Sequence, residues 1–401
     1  MRIVILYHAM DQISGAAKVY AQMASCWAEN GHSVTILNHY GKPVSRYPIS
    51  SKVSIKTAGF FKRFVPFKII RNLFSPSIIY PLYSAVKNEK ADLIIANNAP
   101  YYGLLFATMV SKMVGAPLII WKHSGHFMRS SPMYKIARRY CFPKADAVVL
   151  LTEGDRRHAL KYNANCFTIM NPIEQNGTAK ARDKRAAGAD GNNSAIFVGR
   201  LAEQKSLDHL FYAWKRALPE IPHWKLTIVG DGEKRKSLEI LARQLGIFDA
   251  VSFIGAVEDV GSYYENASFF VMSSMHEGLP VSLIEAASSG LPLISYDCPY
   301  GPANVIEHDK NGLLIETGNI DALSQAIVSM ATSFEMRKSF SDASKLKSNE
   351  FLLKTIAKQW DCVFNFVFKK RRFDGGIEGV ENGENSEAAF QLTRSSRPKR
   401  S

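Results

Sequence analysis

Long hydrophobic runs are missing from this chain of 401 residues. No stretch reaches the roughly 18–20 uninterrupted apolar residues of a membrane-spanning helix. The nearest candidate, Gly103 to Trp121, is broken by Lys112, Gly115 and Pro117; it predicts a buried helix, a turn and a strand. The opening MRIVILYHAM lacks the n-region, h-region and cleavage site of a secretory signal, so a cytoplasmic protein is expected. Cysteine is scarce. The five (Cys26, Cys141, Cys166, Cys298 and Cys362) are scattered, odd in number and form no C-x-x-C pair. That argues against a zinc site and a disulfide framework, and agrees with a reducing compartment. Acidic residues fall short of basic ones, 36 against 50, for a formal charge of +14. Such an excess suits nucleic acid, an anionic membrane or phosphate-bearing substrates, and composition alone does not choose among them.

Apolar residues are plentiful at 46%, enough for a sizeable core, and the length fits two domains of roughly 150–200 residues. Arg2–Tyr7 is an apolar, β-branched run that predicts a buried strand. A polar turn follows. Ala16, Val19, Tyr20, Met23 and Trp27 then recur at helical spacing, with Gly31 beyond the helix and a second strand at Ser33–Asn38. This is a β-α-β unit, the building block of a parallel sheet. Further strands are expected at Asp92–Ala96, Pro117–Trp121, Asp146–Thr152 and Phe167–Met170. After a polar stretch the alternation restarts, with strands at Ala195–Val198, Trp224–Val229, Val251–Ile254, Phe269–Met272 and Leu291–Ser295. Helices are expected at Leu207–Leu218 and through Leu238, Leu241 and Leu245. The expected organisation is a first α/β domain over 1–172, a linker over 173–193 and a second α/β domain over 194–355. A helix over 356–371 is expected to pack back on the first domain, ahead of a disordered tail over 372–401.

Two segments of the second half carry chemistry. In Phe197-Val198-Gly199-Arg200-Leu201, with Lys205 beyond, a strand ends at Gly199 and two cations follow. The carboxyl edge of an open α/β sheet is where ligands bind, and a guanidinium with an ammonium suits a diphosphate. The other runs His276-Glu277-Gly278-Leu279-Pro280-Val281 and on to Glu285. Pro280 suits the first turn of a helix, whose free N–H groups attract an anion. A nearby carboxylate can accept hydrogen bonds from sugar or ribose hydroxyls. Taken alone, the first segment is equally compatible with an ordinary charged loop, and the second reads more simply as a capped, solvated helix with two surface glutamates.

Together they resemble the retaining glycosyltransferases of family 4, which have the GT-B fold: two Rossmann-like, doubly wound parallel-sheet domains facing each other across a cleft. The resemblance rests on Gly199-Arg200-Leu201 with Lys205, on the Glu277…Glu285 pair, on Val229-Gly230-Asp231-Gly232, and on Gly301-Pro302, Ile306 and Asn311-Gly312-Leu313-Leu314. It is strong over about 194–330 and weaker over 1–172. It implies that Arg200 and Lys205 hold the diphosphate, that Glu285 accepts hydrogen bonds from the ribose, and that Glu277 faces the donor sugar. Backbone N–H groups of Gly278, Leu279 and Val281, with Pro280 among them lacking one, would lie near the phosphates, and Gly199 and Gly230 would line the site. Gly15, in Ser14-Gly15-Ala16-Ala17-Lys18, stands where the family has two glycines and an arginine. His123, with His126 as runner-up, matches a histidine close to the reacting sugar. The catalytic set is thus Arg200, Lys205, Glu277 and His123. No metal or other cofactor is expected, since two cations can stabilise the leaving group and no Asp-x-Asp element marks a strand end. The implied mechanism is front-face displacement, with the donor's own β-phosphate taking the proton and no protein base assigned.

The expected activity is that of a hexosyltransferase (EC 2.4) using a UDP- or GDP-sugar. The acceptor would be a glycan or lipid-linked glycan of lipopolysaccharide, capsule or exopolysaccharide. Lys56 to Arg71 interleaves Phe60, Phe61, Phe64 and Phe67 with Lys62, Arg63, Lys68 and Arg71, and Arg129, Lys135, Arg138 and Arg139 add charge. The interleaving suits an anionic membrane surface or single-stranded nucleic acid, or a core of Phe64, Phe67 and Ile70 with solvated charges outside; the resemblance implies peripheral docking on the inner face of the plasma membrane and no nucleic acid. Two readings compete: a sugar-nucleotide epimerase of the same fold, and a degenerate relative acting as a scaffold. The latter would be expected to lose Arg200, Lys205 or a glutamate, and all are present.

Overall fold

The computed structural model describes residues 1–12, 14–58, 76–97, 101–123, 132–174 and 193–374, apart from the side chains of 76–78, 373 and 374. The chain forms two compact units. Unit 1 is Met1–Pro172 together with the chain from Leu353 onward, and unit 2 is Ile173–Leu352. Outside the described residues lie the linker over 175–192, the run of 59–75 with its phenylalanines and bases, Ser124, Gly125, His126, Arg129 and the tail over 375–401.

Unit 1 begins with β1 (Arg2–Tyr7), α1 (Gly15–Glu29), β2 (Ser33–Asn38), β3 (Val53–Thr57), α2 (Pro76–Asn88) and β4 (Leu93–Asn97). It continues with α3 (Tyr101–Val114), β5 (Leu118–Lys122), α4 (Pro132–Cys141), β6 (Ala147–Leu150), α5 (Glu153–Ala159) and β7 (Cys166–Thr168). The seven strands lie in the order β3-β2-β1-β4-β5-β6-β7, and all pair in parallel. A parallel sheet is covered on both faces, which is why its central strands are apolar throughout. Side chains alternate. Val4, Leu6, Ile94, Ala96, Leu118, Ile120, Val148 and Leu150 form one core with Leu82 and Val86 of α2 and Leu104 and Val110 of α3.

Unit 2 holds β8 (Ser194–Val198), α6 (Leu207–Ala217), β9 (Lys225–Val229), α7 (Arg235–Gln244), β10 (Val251–Gly255) and α8 (Gly261–Asn266). Then come β11 (Phe269–Met272), α9 (Val281–Ser288), β12 (Leu293–Tyr296), β13 (Gly312–Ile315), α10 (Ile320–Thr332) and α11 (Phe334–Ser348). Its six parallel strands run β10-β9-β8-β11-β12-β13. Ile173, assigned to the linker from sequence, is 4% exposed and bridges to Leu352 within unit 2. The last helix, α12 (Leu353–Asp374), returns to unit 1. Its Trp360 meets Trp27 of α1 at 5.2 Å and Trp121 of β5 at 4.7 Å between ring centroids.

The strands over Arg2–Tyr7, Ser33–Asn38 and Phe269–Met272 coincide with those expected. Strands β3 and β13 were not expected. Lys56 belongs to the edge strand β3 rather than to a basic surface run, and its Nζ donates to Glu89 Oε1 at 2.5 Å. The expected basic face also loses Arg138, which is 7% exposed and lies 5.2 Å over the Tyr162 ring. On α4 the residues that face outward beside Lys135 and Arg139 are apolar: Met133 at 37%, Ile136 at 62% and Tyr140 at 47% exposure. No described helix is long and apolar enough to cross a membrane.

Trp360 is fully buried. Replacing it with alanine is expected to cost about 3–5 kcal/mol of unfolding free energy. Denaturant unfolding followed by circular dichroism measures this, and a loss below about 1 kcal/mol would contradict a role for α12 as a core element of unit 1.

Candidate active site

Counting strands within unit 2, the order is 3-2-1-4-5-6, and it reverses between β8 and β11. Ligands of open α/β sheets bind at this reversal, beyond the carboxyl ends of the strands. The loops leaving those two strands carry Gly199 to Lys205 and Ser273 to Pro280. Backbone hydrogen bonds brace the first loop against the turn after β9: Gly199 N–H donates to Val229 O at 3.0 Å, and Leu201 N–H to Asp231 O at 2.9 Å. Gly230, at φ 134°, makes this approach possible, because a Cβ there would stand 1.9 Å from the Gly199 carbonyl oxygen.

The two loops at the reversal are tied together. Ser273 Oγ donates to the carbonyls of Lys205 at 3.0 Å and Ser206 at 2.8 Å, and Met275 N–H donates to Gln204 O at 2.9 Å. Ser206 caps α6 from the left-handed region, at φ 42°. A turn in that conformation is uncommon for a residue with a side chain and persists only where its surroundings enforce it. The consequence is that Lys205 Nζ lies 2.5 Å from Glu277 Oε1, with the side chains only 12% and 8% exposed. An ammonium has three N–H donors, and among the described residues this one bonds Glu277 alone. Glu277 and Gly278 are backed by the turn at Gly301, where a Cβ would come within 2.6 Å of Gly278 O. Beside Glu277, burial pushes the Cys298 thiol up to about 12, with the neighbouring carboxylate adding to the shift.

Arg200 is exposed, and among the described residues its side chain has no hydrogen bond or ion pair. Pro280 caps α9 rather than opening it, since the helix begins at Val281. Gly278, Leu279 and Pro280 are buried in the loop before the helix, and Glu285 lies in its second turn. Glu285 Oε2 accepts from the Tyr264 hydroxyl at 3.1 Å. An open depression of about 690 Å³ lies next to the Glu277 loop, lined by His276, Asp297, Pro299, Glu316 and others beyond the ends of β11, β12 and β13.

In unit 1, the strand order reverses between β1 and β4. Gly15 opens α1 in the loop after β1; Ser14 caps it, accepting from Ala17 N–H at 3.1 Å. His123 directly follows β5 and packs on Tyr20 and Trp121, with ring centroids 4.9 and 4.4 Å away. Its Nε2 is shut off from solvent without a partner among the described residues. Burial drives its imidazole down to about 3, so it is neutral at physiological pH. One residue earlier, Lys122 Nζ pairs with Asp155 Oδ1 at 3.0 Å, both side chains under 5% exposed.

Two family models together cover about four fifths of the chain. Residues 13–175 match Glycosyltransferase Family 4, and residues 179–347 match Glycosyl transferases group 1. The chain belongs to the group 1 glycosyltransferases, with the GT-B fold. This glycosyltransferase is similar to the amylovoran biosynthesis glycosyltransferase AmsD of Erwinia amylovora, at 26% identity over 91% of this chain and 99% of the relative. It is also similar to an alpha-1,4-N-acetyl-D-galactosaminyltransferase of Campylobacter jejuni whose name specifies a diNAcBac-PP-undecaprenol-linked acceptor. That match has 25% identity over 86% of this chain and 93% of the relative. Among solved structures, Anabaena Alr3699/HepE in complex with UDP superposes with a TM-score of 0.71 at 16% identity, over 91% of this chain and 100% of the other.

Of the residues singled out in the sequence, the glycosyltransferase brings Lys205 and Glu277 into contact and sets Gly199 against Gly230. Sequence reasoning missed Ser273, Tyr264, Asp297 and Glu316. Asp297 directly follows β12, a strand the sequence did suggest, and Glu316 directly follows β13, so the strand-end position was a signal for the first and would have been one for the second had β13 been recognised. Nothing in the pattern marked Ser273 or Tyr264.

Two outcomes are expected. Gly230→Ala should lose about 2–4 kcal/mol of unfolding free energy; a variant as stable as the parent in denaturant titration would contradict the close approach to Gly199. The second concerns pH. The unfolded chain protonates His123 near 6.5, and the folded chain only near 3. His39, pushed down to about 4 by burial and by His8, behaves alike. Stability is therefore complete above about pH 6.5 and falls as the pH drops, by up to about 1.4 kcal/mol per unit for each ring. His123→Asn should flatten that slope in unfolding measured between about pH 6 and 4.5, and an unchanged slope would refute the burial.

Proposed function

We propose that this glycosyltransferase is a retaining enzyme. It moves a hexosyl group from a UDP- or GDP-sugar to a glycan or lipid-linked acceptor of a cell-surface polysaccharide. The observation that carries the reading is the Lys205–Glu277 pair at the strand reversal of unit 2. The two groups suit opposite parts of one donor: the ammonium a phosphate oxygen, the carboxylate the sugar hydroxyls. Arg200, unpaired among the described residues, adds a guanidinium fork for the diphosphate. N–H groups at the start of α9 add partial positive charge. Arg200 and Lys205 offset the charge on the departing nucleotide without a metal ion. Glu285 takes the ribose hydroxyls. The acceptor hydroxyl attacks from the face the nucleotide leaves, and the donor's β-phosphate accepts its proton. His123, neutral through burial, offers a hydrogen bond to the sugar rather than a charge.

The relatives' names support the acceptor class: one acts in amylovoran biosynthesis, another is named for an undecaprenol-linked acceptor. The outer face of α4 supports a membrane partner on the inner leaflet. Met133, Ile136 and Tyr140 recur at helical spacing on an exposed face, beside exposed Lys135 and Arg139. No acidic residue occurs in this helix. Apolar side chains flanked by bases fit the boundary of an anionic bilayer.

Thermal melting with UDP, with GDP and without ligand, in the presence of a chelator, tests the donor site. A nucleotide at about 100 times its dissociation constant should add roughly 2.7 kcal/mol, and Arg200→Ala should abolish the shift. No shift with either nucleotide would overturn the reading. The anomeric configuration of the product, read by NMR, tests retention, and an inverted product would refute it. Flotation with anionic vesicles tests α4. The parent should float, and the Met133→Glu/Ile136→Glu variant should not; equal flotation of both would remove α4 from the account.

A further inference from the structure

Glu285 sits in the second turn of α9, and Tyr264 stands behind it. Tyr264 comes from α8, is 2% exposed, and rests its ring against Phe270 of β11 at 6.4 Å. Its hydroxyl lies 3.1 Å from Glu285 Oε2 and 3.2 Å from the Ser282 carbonyl oxygen. A phenol has one O–H to donate. Here it is shared between a carboxylate and the backbone one helical turn before it. A glutamate side chain turns about several bonds and loses much rotamer freedom when fixed. The shared donor ties that side chain to the frame of its own helix. Burial, with the Glu285 carboxylate adding to it, pushes the phenol well above its ordinary range, so it remains a donor at any working pH. The arrangement is short in sequence terms: α8, β11, the loop after it and α9 together span only 261–288. Tyr264 is thus held by the same strand, β11, whose far end delivers Glu277.

We infer that Tyr264 is a positioning residue: it aims the Glu285 carboxylate at the ribose hydroxyls and so makes the site discriminate ribonucleotide from deoxyribonucleotide donors. This rests on the reading of Glu285 as the ribose acceptor. Tyr264 does not touch the reacting atoms. It acts only through Glu285, so its loss weakens the contact to the sugar of the nucleoside and leaves the diphosphate contacts of Arg200 and Lys205 in place.

Calorimetric titration of the full chain with UDP, 2′-deoxy-UDP and inorganic pyrophosphate tests this, with the guanosine pair in place of the uridine pair if GDP is the nucleotide bound. The parent should prefer UDP over 2′-deoxy-UDP by about tenfold or more, as expected for hydrogen bonds to a charged group. Tyr264→Phe removes one oxygen and keeps the ring packing. It should weaken UDP by about tenfold, weaken 2′-deoxy-UDP by less because only its 3′-hydroxyl remains to be held, leave pyrophosphate within about twofold, and narrow the preference. Glu285→Gln should do the same, and the double variant should be no worse than Glu285→Gln alone. If Glu285→Gln leaves UDP binding unchanged, the ribose reading itself falls. If Glu285→Gln weakens UDP but Tyr264→Phe does not, only the role of Tyr264 falls. Equal weakening of UDP, 2′-deoxy-UDP and pyrophosphate by Tyr264→Phe would show a general packing effect and likewise overturn the inference.

Discussion

The buried contact between Lys205 Nζ and Glu277 Oε1 is the constraint on which the rest of unit 2 depends. Two charges out of water are costly to hold, and they are tolerated only in close pairing. Removing one leaves the other buried and uncompensated. The pair can form only if loops from two different strands arrive at one point, and adjacent strands at a reversal of order provide that point. Much of the local structure follows from this demand. Ser273 bonds the backbone of Lys205 and Ser206, Ser206 adopts a left-handed conformation, and Gly301 lets a third loop press against Gly278. A donor that entered here would find its two charged partners already desolvated and aimed, which is the arrangement that makes electrostatic stabilisation effective.

Unit 1 solves a different problem with the same topology. Its sheet also reverses order beside β1. There the packing is aromatic. Trp27, Trp121 and Trp360 join α1, β5 and α12, and the chain of rings continues through Tyr20 to His123. Helix α12 therefore helps to hold β5, whose end carries His123. Lys122, paired with Asp155 just before it, fixes the same strand end from the other side of the backbone's alternation.

Much of this was legible in the residues. Parallel strands are continuous apolar runs, so β1, β2 and β11 were visible, and the family segments around Gly199, Gly230 and Glu277 pointed to the carboxyl edge. Strands β3 and β13 were not: β3 lies at the sheet edge and alternates with exposed positions, and β13 opens at Gly312 of an Asn-Gly pair that reads as a turn. The contact between Lys205 and Glu277 spans 72 positions and depends on strand order, which periodicity does not encode. Arg138 looked like a surface charge until the helix phase turned it inward and left Ile136 outside. Tyr264 carried no signal at all. An aromatic residue in a short helix is usually core, and only its distance to Glu285 distinguishes it.

The most direct test of the central claim is a double-mutant cycle on kcat/KM for the nucleotide-sugar, with Lys205→Met, Glu277→Gln and the double variant. If the two groups act as one unit at the donor, each single change should cost about a hundredfold or more, and the double variant should be little worse than the poorer single. Losses that multiply, or a single variant that keeps the parent's rate, would contradict the account.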